Sequence, residues 1–205
     1  MTPRLGSVNE FCWMDLKTRD PAGTAEFFSQ SLGWRFAVDE QDWRKATKIT
    51  VGGHRIGGVS DLANPVYPQG TPAHIAYYLA VDDVDRRAGA AVANGAQLLL
   101  PPFEAGDQGR LATLLDPFGA AFSLWQRQSF AGWTFPPGLA GAPHRMVLAC
   151  DQPDEARDFY SATTGTPQRH ADFVAAPGPA VWELVVAGAG VGRVSSPEGL
   201  TFQVR

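Results

Sequence analysis

An α+β fold assembled from repeated strand–helix–three-strand modules is predicted by three observations. The chain of 205 residues carries 22 Gly and 16 Pro in a non-repetitive, 44% hydrophobic sequence, which calls for many short elements joined by tight turns. A segment recurs: MDLKTRDPAGTAEFFSQSLGW (Met14 to Trp34) lies without gaps on MVLACDQPDEARDFYSATTGT, Met14 falling on Met146 and Gly33 on Gly165. A weaker copy, HIAYYLAVDDVDRRAGAAVANGAQ (His74 to Gln97), lies between them.

The elements follow in order. Alternation through Cys12, Met14 and Leu16 predicts a strand, and Pro21 at a first helical position with Gly33 as the stop predicts a helix burying Ala25, Phe28 and Leu32. VGGHRIGGVS predicts a glycine-turned hairpin, and VAGAGVGRVS (Val186 to Ser195) a matching one, which makes GAGVG a turn between strands and not a phosphate cradle. In the second copy Asp82 and Asp83 open a helix that Asn94-Gly95 closes. Two strands follow, LLLPPFEAG and RLATLLDPFGAAFSLWQ, the latter split by a turn at Asp116-Pro117-Phe118-Gly119. Modules are therefore expected at about 8–60 and 72–126, forming a domain 1–126. Residues 127–142, with FAGWTFPPGLAGAP as their clearest part, form a linker, and 143–205 a partial third module.

Charge and cysteine content narrow the function classes. A net charge of −4 from 17 basic and 21 acidic residues, without runs of either sign, gives no footprint for nucleic acid or an anionic membrane. Cys12 and Cys150 sit in apolar runs and are expected as buried free thiols. MTPRLGSVNEFCW lacks the regions of a secretion signal and no stretch approaches a membrane span, so a cytoplasmic protein is expected. Nucleophile elbows, phosphate loops and dinucleotide fingerprints are absent from the sequence.

The phrases DPAGTAEFFSQSLGW, VDDVDRRAGAAVANGAQ and LLDPFGAAFSLWQ resemble the vicinal oxygen chelate superfamily of glyoxalase I, bleomycin-resistance proteins and extradiol dioxygenases, with the two-domain actinobacterial glyoxalase-like proteins as its nearest group. The resemblance covers the first two modules well and the third in part. It implies that two βαβββ modules pair into one cup-shaped mixed sheet with the ligand in the cup. Where that superfamily's metal enzymes place ligands, this chain has Trp13, Ala76 and Ser123, none of them a strong donor; His74, two residues before Ala76, stands without a matching partner. No metal and no cofactor are expected.

Given a cup, alternation points Trp13, Asp15 and Lys17 into it from the first strand, and His74, Ala76, Tyr78 and Ala80 from the second module's first strand. Ala121, Ser123 and Trp125 follow from the last strand, and His54 with Ile56 from the hairpin. Such a wall suits a flat or extended organic ligand. Asp15, His74 and Tyr78 are the candidate acid–base groups; Trp13, Lys17, His54, Ala76, Ser123 and Trp125 are the candidate ligand contacts. Each has a plainer reading: Asp15 as half of an ion pair, His74 as an exposed edge residue, Trp13 and Trp125 as filling for space that a metal would take. Trp34 and Trp43 are expected in the core, and His144 on a buried, helix-facing position.

The function expected is metal-independent binding of a small aromatic or polycyclic metabolite or antibiotic, by sequestration or metal-free catalysis. One alternative is a lyase, isomerase or cyclase of secondary metabolism using Asp15 and His74. Another is a metal-dependent glyoxalase or dioxygenase with displaced ligands. An unpaired third module would leave a sheet edge to cover, so a homodimer is expected.

Overall fold

A computed structural model of the chain describes residues 4–40 and 45–205; Trp43 lies outside them. The described residues form two mixed sheets. The first module comprises β1 (Phe11–Thr18), α1 (Pro21–Leu32), β2 (Arg35–Val38), β3 (Thr47–Val51) and β4 (His54–Asp61). The second comprises β5 (His74–Ala80), α2 (Val84–Ala93), β6 (Gln97–Glu104), β7 (Gly109–Leu115) and β8 (Ala121–Arg127). Both are the expected βαβββ unit. Their strands make one sheet in the order β2-β3-β4-β1-β5-β8-β7-β6, and in each module the first and last strands are parallel neighbours: Asp15 lies opposite Gly58, Tyr78 opposite Ser123.

Local chemistry explains the helix limits. The Asp20 carboxylate accepts from Gly23 N at 2.9 Å, Pro21 starts α1 with φ already set, and Gly33 ends it at φ 68°, a conformation that costs glycine nothing. Asp83 caps α2 in the same way through Arg86 N at 2.9 Å. The buried stripe of α1 differs from expectation: Thr24 and Phe28 are buried, whereas Ala25 and Leu32 are only half-buried. Its face is turned toward Thr24 because that hydroxyl bonds the fully buried Thr18 hydroxyl at 2.8 Å.

The third segment comprises β9 (Pro143–Cys150), α3 (Pro153–Thr164), β10 (Ala171–Ala175), β11 (Val181–Val186), β12 (Gly192–Ser195) and β13 (Thr201–Val204), in the sheet order β10-β9-β11-β13-β12. That order repeats the run β4-β1-β5-β8-β7 of the first sheet, position for position. The parallel pairs recur too: β10 runs parallel to β9, as β4 does to β1. Gly188 N donates to Arg205 O at 2.8 Å and Arg205 N to Val186 O at 3.1 Å, the bonding of a chain running parallel to the β11 end, as β8 runs parallel to β5. The hairpin expected around Gly188 is not formed, because β13 stands between β11 and β12. The hairpin is instead β12–β13, and its turn copies that of β7–β8. Ser196 N donates to Leu200 O at 2.9 Å and Gly199 N to Ser196 O at 2.8 Å, where Asp116 N donates to Ala120 O at 2.9 Å and Gly119 N to Asp116 O at 3.2 Å.

The chain divides into two compact units. One holds the described residues through Trp13 together with Tyr77–Trp133 and Arg145–Leu184; the other holds Met14–Ala76, Thr134–His144 and Val185–Arg205. The first has an aromatic core of Phe122, Phe159, Tyr160, Phe173 and Trp182, joined by Phe11. In the second, Phe28, Trp34 and Phe202 pack with centroids 4.9–5.5 Å apart, Phe202 standing edge-on to the other two. In each unit a hairpin turn is fastened to a helix of another module. The β7–β8 turn bonds α3 through Asp116 and Tyr160, while the β12–β13 turn reaches the start of α1, where Glu198 accepts from Arg19 N at 3.2 Å and from the Thr18 hydroxyl. Both cysteines are buried free thiols, and burial pushes the Cys12 thiol far up. His144, expected on a buried position, is exposed at the start of β9. None of the described helices is long and apolar enough to cross a membrane.

Candidate functional site

Strand alternation carries one row of side chains along β1. Cys12, Met14 and Leu16 are fully buried on one face, which leaves Trp13, Asp15 and Lys17 on the other at intervals of about 6.8 Å. In the second unit this face bears a polar cluster. Lys17 Nζ lies 2.5 Å from Asp15 Oδ2, 3.0 Å from Ser60 Oγ and 3.0 Å from Tyr67 Oη, and Ser60 Oγ donates to Asp15 Oδ2 at 2.6 Å. The side chains of Lys17 and Asp15 are only 13% and 14% exposed. The register explains the meeting: Ser60 stands opposite Lys17 on the parallel strand β4, and Gly58 stands opposite Asp15. A Cβ at Gly58 would sit 2.7 Å from Asp15 Oδ1, so the carboxylate lies where only glycine leaves room. Asp15 is thus half of an ion pair, with Oδ2 committed to two donors.

Tyr67 comes from the β4–β5 connection, which β1 and the residue after it hold at three points. Leu62 N donates to Thr18 O at 2.8 Å, Arg19 donates to Thr71 O at 2.5 Å, and Lys17 reaches the Tyr67 hydroxyl while standing 5.2 Å from its ring centroid. His54 is half-buried at the start of β4, and Ile56, expected on the wall, is fully buried. His74 is exposed, its Nδ1 2.9 Å from Pro72 O, and Ala76 is half-buried without a polar group to offer. The ring of His74 is therefore held at the strand entrance and not against Asp15.

In the first unit the row Tyr78, Ser123 and Thr113 crosses β5, β8 and β7, with the Ser123 and Thr113 hydroxyls 2.9 Å apart. Tyr78 stands edge-on to Trp125 at 6.2 Å. Phe130, just past β8, stands 4.8 Å from Trp13 and 6.1 Å from Trp125, and its carbonyl accepts the Trp125 indole N–H at 3.1 Å. Trp13 and Trp125 are accordingly 8% and 6% exposed: these two indoles pack on Phe130, with Gly109 leaving room for the Trp125 ring over β7.

The candidates thus fall into two groups. Asp15 and Lys17 meet each other in the second unit, and Trp13, Tyr78, Ser123 and Trp125 form a second set in the first. Three participants escaped the sequence reading. Ser60 is legible only once the β1–β4 register is known, Tyr67 lies in a proline-rich connection without periodicity, and Phe130 sits where the strand pattern has stopped. Trp13, Ala76 and Ser123, at the positions where the resemblance places metal ligands, offer no strong donor, and no group of three His, Cys, Asp or Glu among the described residues is placed to hold an ion.

The model of the glyoxalase-like domain matches residues 13–125, more than half of the chain. The chain belongs to the glyoxalase-like domain family. This glyoxalase-like protein is 32% identical over 167 residues to CFP32 of Mycobacterium tuberculosis, named as a glyoxylase, a match spanning 79% of this chain and 61% of that one. It is 29% identical over 164 residues to the anthracycline biosynthesis protein DnrV of Streptomyces peucetius, spanning 75% and 59%. The chain therefore spans about three-fifths of the length of the relatives it matches. Among solved structures, the Mn(II)-bound glyoxalase of Novosphingobium aromaticivorans superposes with a TM-score of 0.65 at 13% identity, covering 96% of this chain and 81% of that one. The 2,3-dioxygenase LapB of Pseudomonas sp. KL28 gives 0.63 at 10% identity, covering 98% and 93%. At these identities the likeness concerns the fold that this glyoxalase-like protein shares with both.

Proposed function

We propose that this glyoxalase-like protein binds a planar, oxygenated, fused-ring aromatic molecule along the face of β1 that carries Asp15 and Lys17, and that it does so without a metal ion. The observation that carries the reading is the polar cluster at Lys17: a half-buried ammonium and carboxylate on the face of a strand is a costly arrangement for a fold to keep for stability alone. The relation to DnrV supports the ligand class, since that relative acts in anthracycline biosynthesis. Sequestration is favoured over base catalysis, because Asp15 Oδ2 already accepts from Lys17 and Ser60.

The test is titration with anthraquinone-2-sulfonate, followed by tryptophan fluorescence and calorimetry. Saturable binding at one molecule per chain, unchanged after chelation with EDTA and weakened by Lys17→Met, is expected. Absence of saturation up to about 1 mM, the level at which only about 4 kcal/mol of binding energy would be in play, overturns the proposal. Binding that requires an added divalent cation overturns its metal-independent part.

A further inference from the structure

We infer that Tyr67 is the hydrogen-bond donor that selects a carbonyl oxygen of the ligand, and that Lys17 is the positioning residue that aims it; the inference rests on the binding face proposed above. It follows from an accounting of protons in the cluster. An ammonium has three to give, and Asp15 Oδ2, Ser60 Oγ and Tyr67 Oη stand within hydrogen-bond reach of Lys17. Ser60 gives its one proton to Asp15 Oδ2, which as a carboxylate only accepts. Tyr67 alone receives a proton without passing one on. Its oxygen accepts from Lys17 at 3.0 Å, and its own O–H has no acceptor among the described residues. The donor that the cluster can offer a ligand is therefore this phenol.

The phenol is also held in place. The ammonium stands 5.2 Å from the ring centroid, which fixes the ring as well as the oxygen. Its connection is stiffened by Pro65, Pro68 and Pro72 and by its own turns: Tyr67 N donates to Asn64 O at 3.0 Å, Val66 N to the Asn64 side chain at 3.1 Å, and Thr71 N to Pro68 O at 3.2 Å. Arg19, just past β1, ties its far end through Thr71 O. A donor fixed before the ligand arrives loses little freedom on binding, and it rewards an acceptor at one place only. A quinone or other aryl ketone supplies such an acceptor, whereas the parent hydrocarbon does not.

Two probes of equal charge and nearly equal size separate the cases: anthraquinone-2-sulfonate and anthracene-2-sulfonate. The wild type is expected to prefer the quinone by about 3–10-fold, the worth of one neutral hydrogen bond. In Tyr67→Phe the preference should fall to about 1, with affinity for the anthracene probe held within about twofold. Lys17→Met should also reduce the preference, because an unaimed phenol no longer favours one oxygen position. A quinone preference that survives Tyr67→Phe overturns the inference and leaves the proposed function standing. Equal loss of both probes in that variant also overturns it, since it assigns Tyr67 to packing. Failure of both probes to bind the wild type removes the proposed function and this inference with it.

Discussion

Replacing Tyr160 by Phe removes one oxygen from the first unit and should cost far more than one hydrogen bond. Tyr160 is fully buried in α3; its hydroxyl donates to Asp116 Oδ2 at 2.9 Å and accepts the Trp182 indole N–H at 2.7 Å. Without it, two buried polar groups are stranded at once, and each such group costs about 1–3 kcal/mol. Asp116 keeps the backbone donors of Phe118 at 3.0 Å and Ala120 at 2.8 Å on Oδ1 alone, so its carboxyl stays partly satisfied while Oδ2 is left bare, and the indole N–H keeps nothing. The expected loss is about 2–4 kcal/mol, or about 1 M in the urea midpoint for a slope of about 2–3 kcal/mol/M. Chemical unfolding of wild type, Tyr160→Phe, Trp182→Phe and the double variant measures it. The double variant should lose less than the sum of the singles, because Trp182→Phe removes the group that Tyr160→Phe strands. A Tyr160→Phe loss under about 0.5 kcal/mol, or strict additivity, would refute the claim that the hydroxyl joins both partners.

The same network makes a pH prediction: burial pushes the Asp116 carboxyl above its ordinary range, opposed by its hydrogen bonds from Ala120, Tyr160 and Phe118. A group raised in this way contributes its stability below the ordinary carboxyl range near pH 4 and loses it as pH rises through the raised value, so wild type should exceed Asp116→Asn by more at pH 4 than at pH 7. Unfolding at both pH values checks this, and an equal or reversed gap contradicts it. Gly58→Ala places a methyl 2.7 Å from Asp15 Oδ1 and should lower both melting temperature and anthraquinone-2-sulfonate affinity, with the thermal loss relieved in an Asp15→Ala background. If the two substitutions are thermally additive, the crowding argument fails. Glu198→Ala releases the fully buried Thr18 and the Arg19 amide at the entrance to α1 and should cost about 1 kcal/mol in thermal unfolding, a change within error showing the contact to be idle.

How far the sequence was legible depends on the range of the signal. Pro21, Gly33, Asp83 and the Asp116 turn act within four residues, and each stands where the pattern placed it. The face assignments along β1 and β5 needed only alternation, and the burial of Cys12, Met14, Leu16, Tyr77 and Leu79 agrees with them. The site was legible as a list of side chains but not as partnerships. Lys17 finds Ser60 through a strand register and Tyr67 through a connection 50 residues away in sequence, and neither leaves a periodic trace. For Trp13 and Trp125 the missing term was Phe130, whose neighbourhood carries no apolar pattern.

The third segment shows where a local signal was assigned to the wrong partner. Glycines drew VAGAGVGRVS toward the β3–β4 hairpin, but glycine frequency reports only that the chain turns, not which strands it joins. The informative signal was shorter: Ser196-Pro197-Glu198-Gly199 repeats the Asp116-Pro117-Phe118-Gly119 pattern, and both side chains at its first position accept the backbone N–H four residues on, Leu200 at 3.2 Å and Ala120 at 2.8 Å. Once the closing hairpin is placed there, β11 takes the position that β5 holds in the first sheet, and β9 gains a neighbour on each side. The homodimer is expected from a sheet edge that the third module leaves to cover; β10 and β11 pair both edges of β9, so the edges that remain in this sheet are those of its outer strands β10 and β12. Strand pairing between copies would have to use an outer strand of either sheet. In β6 the edge carries Pro101 and Pro102, which have no N–H to offer a partner. Light scattering at micromolar concentration decides the question: a mass of two chains agrees with a homodimer, whereas a mass of one chain overturns it.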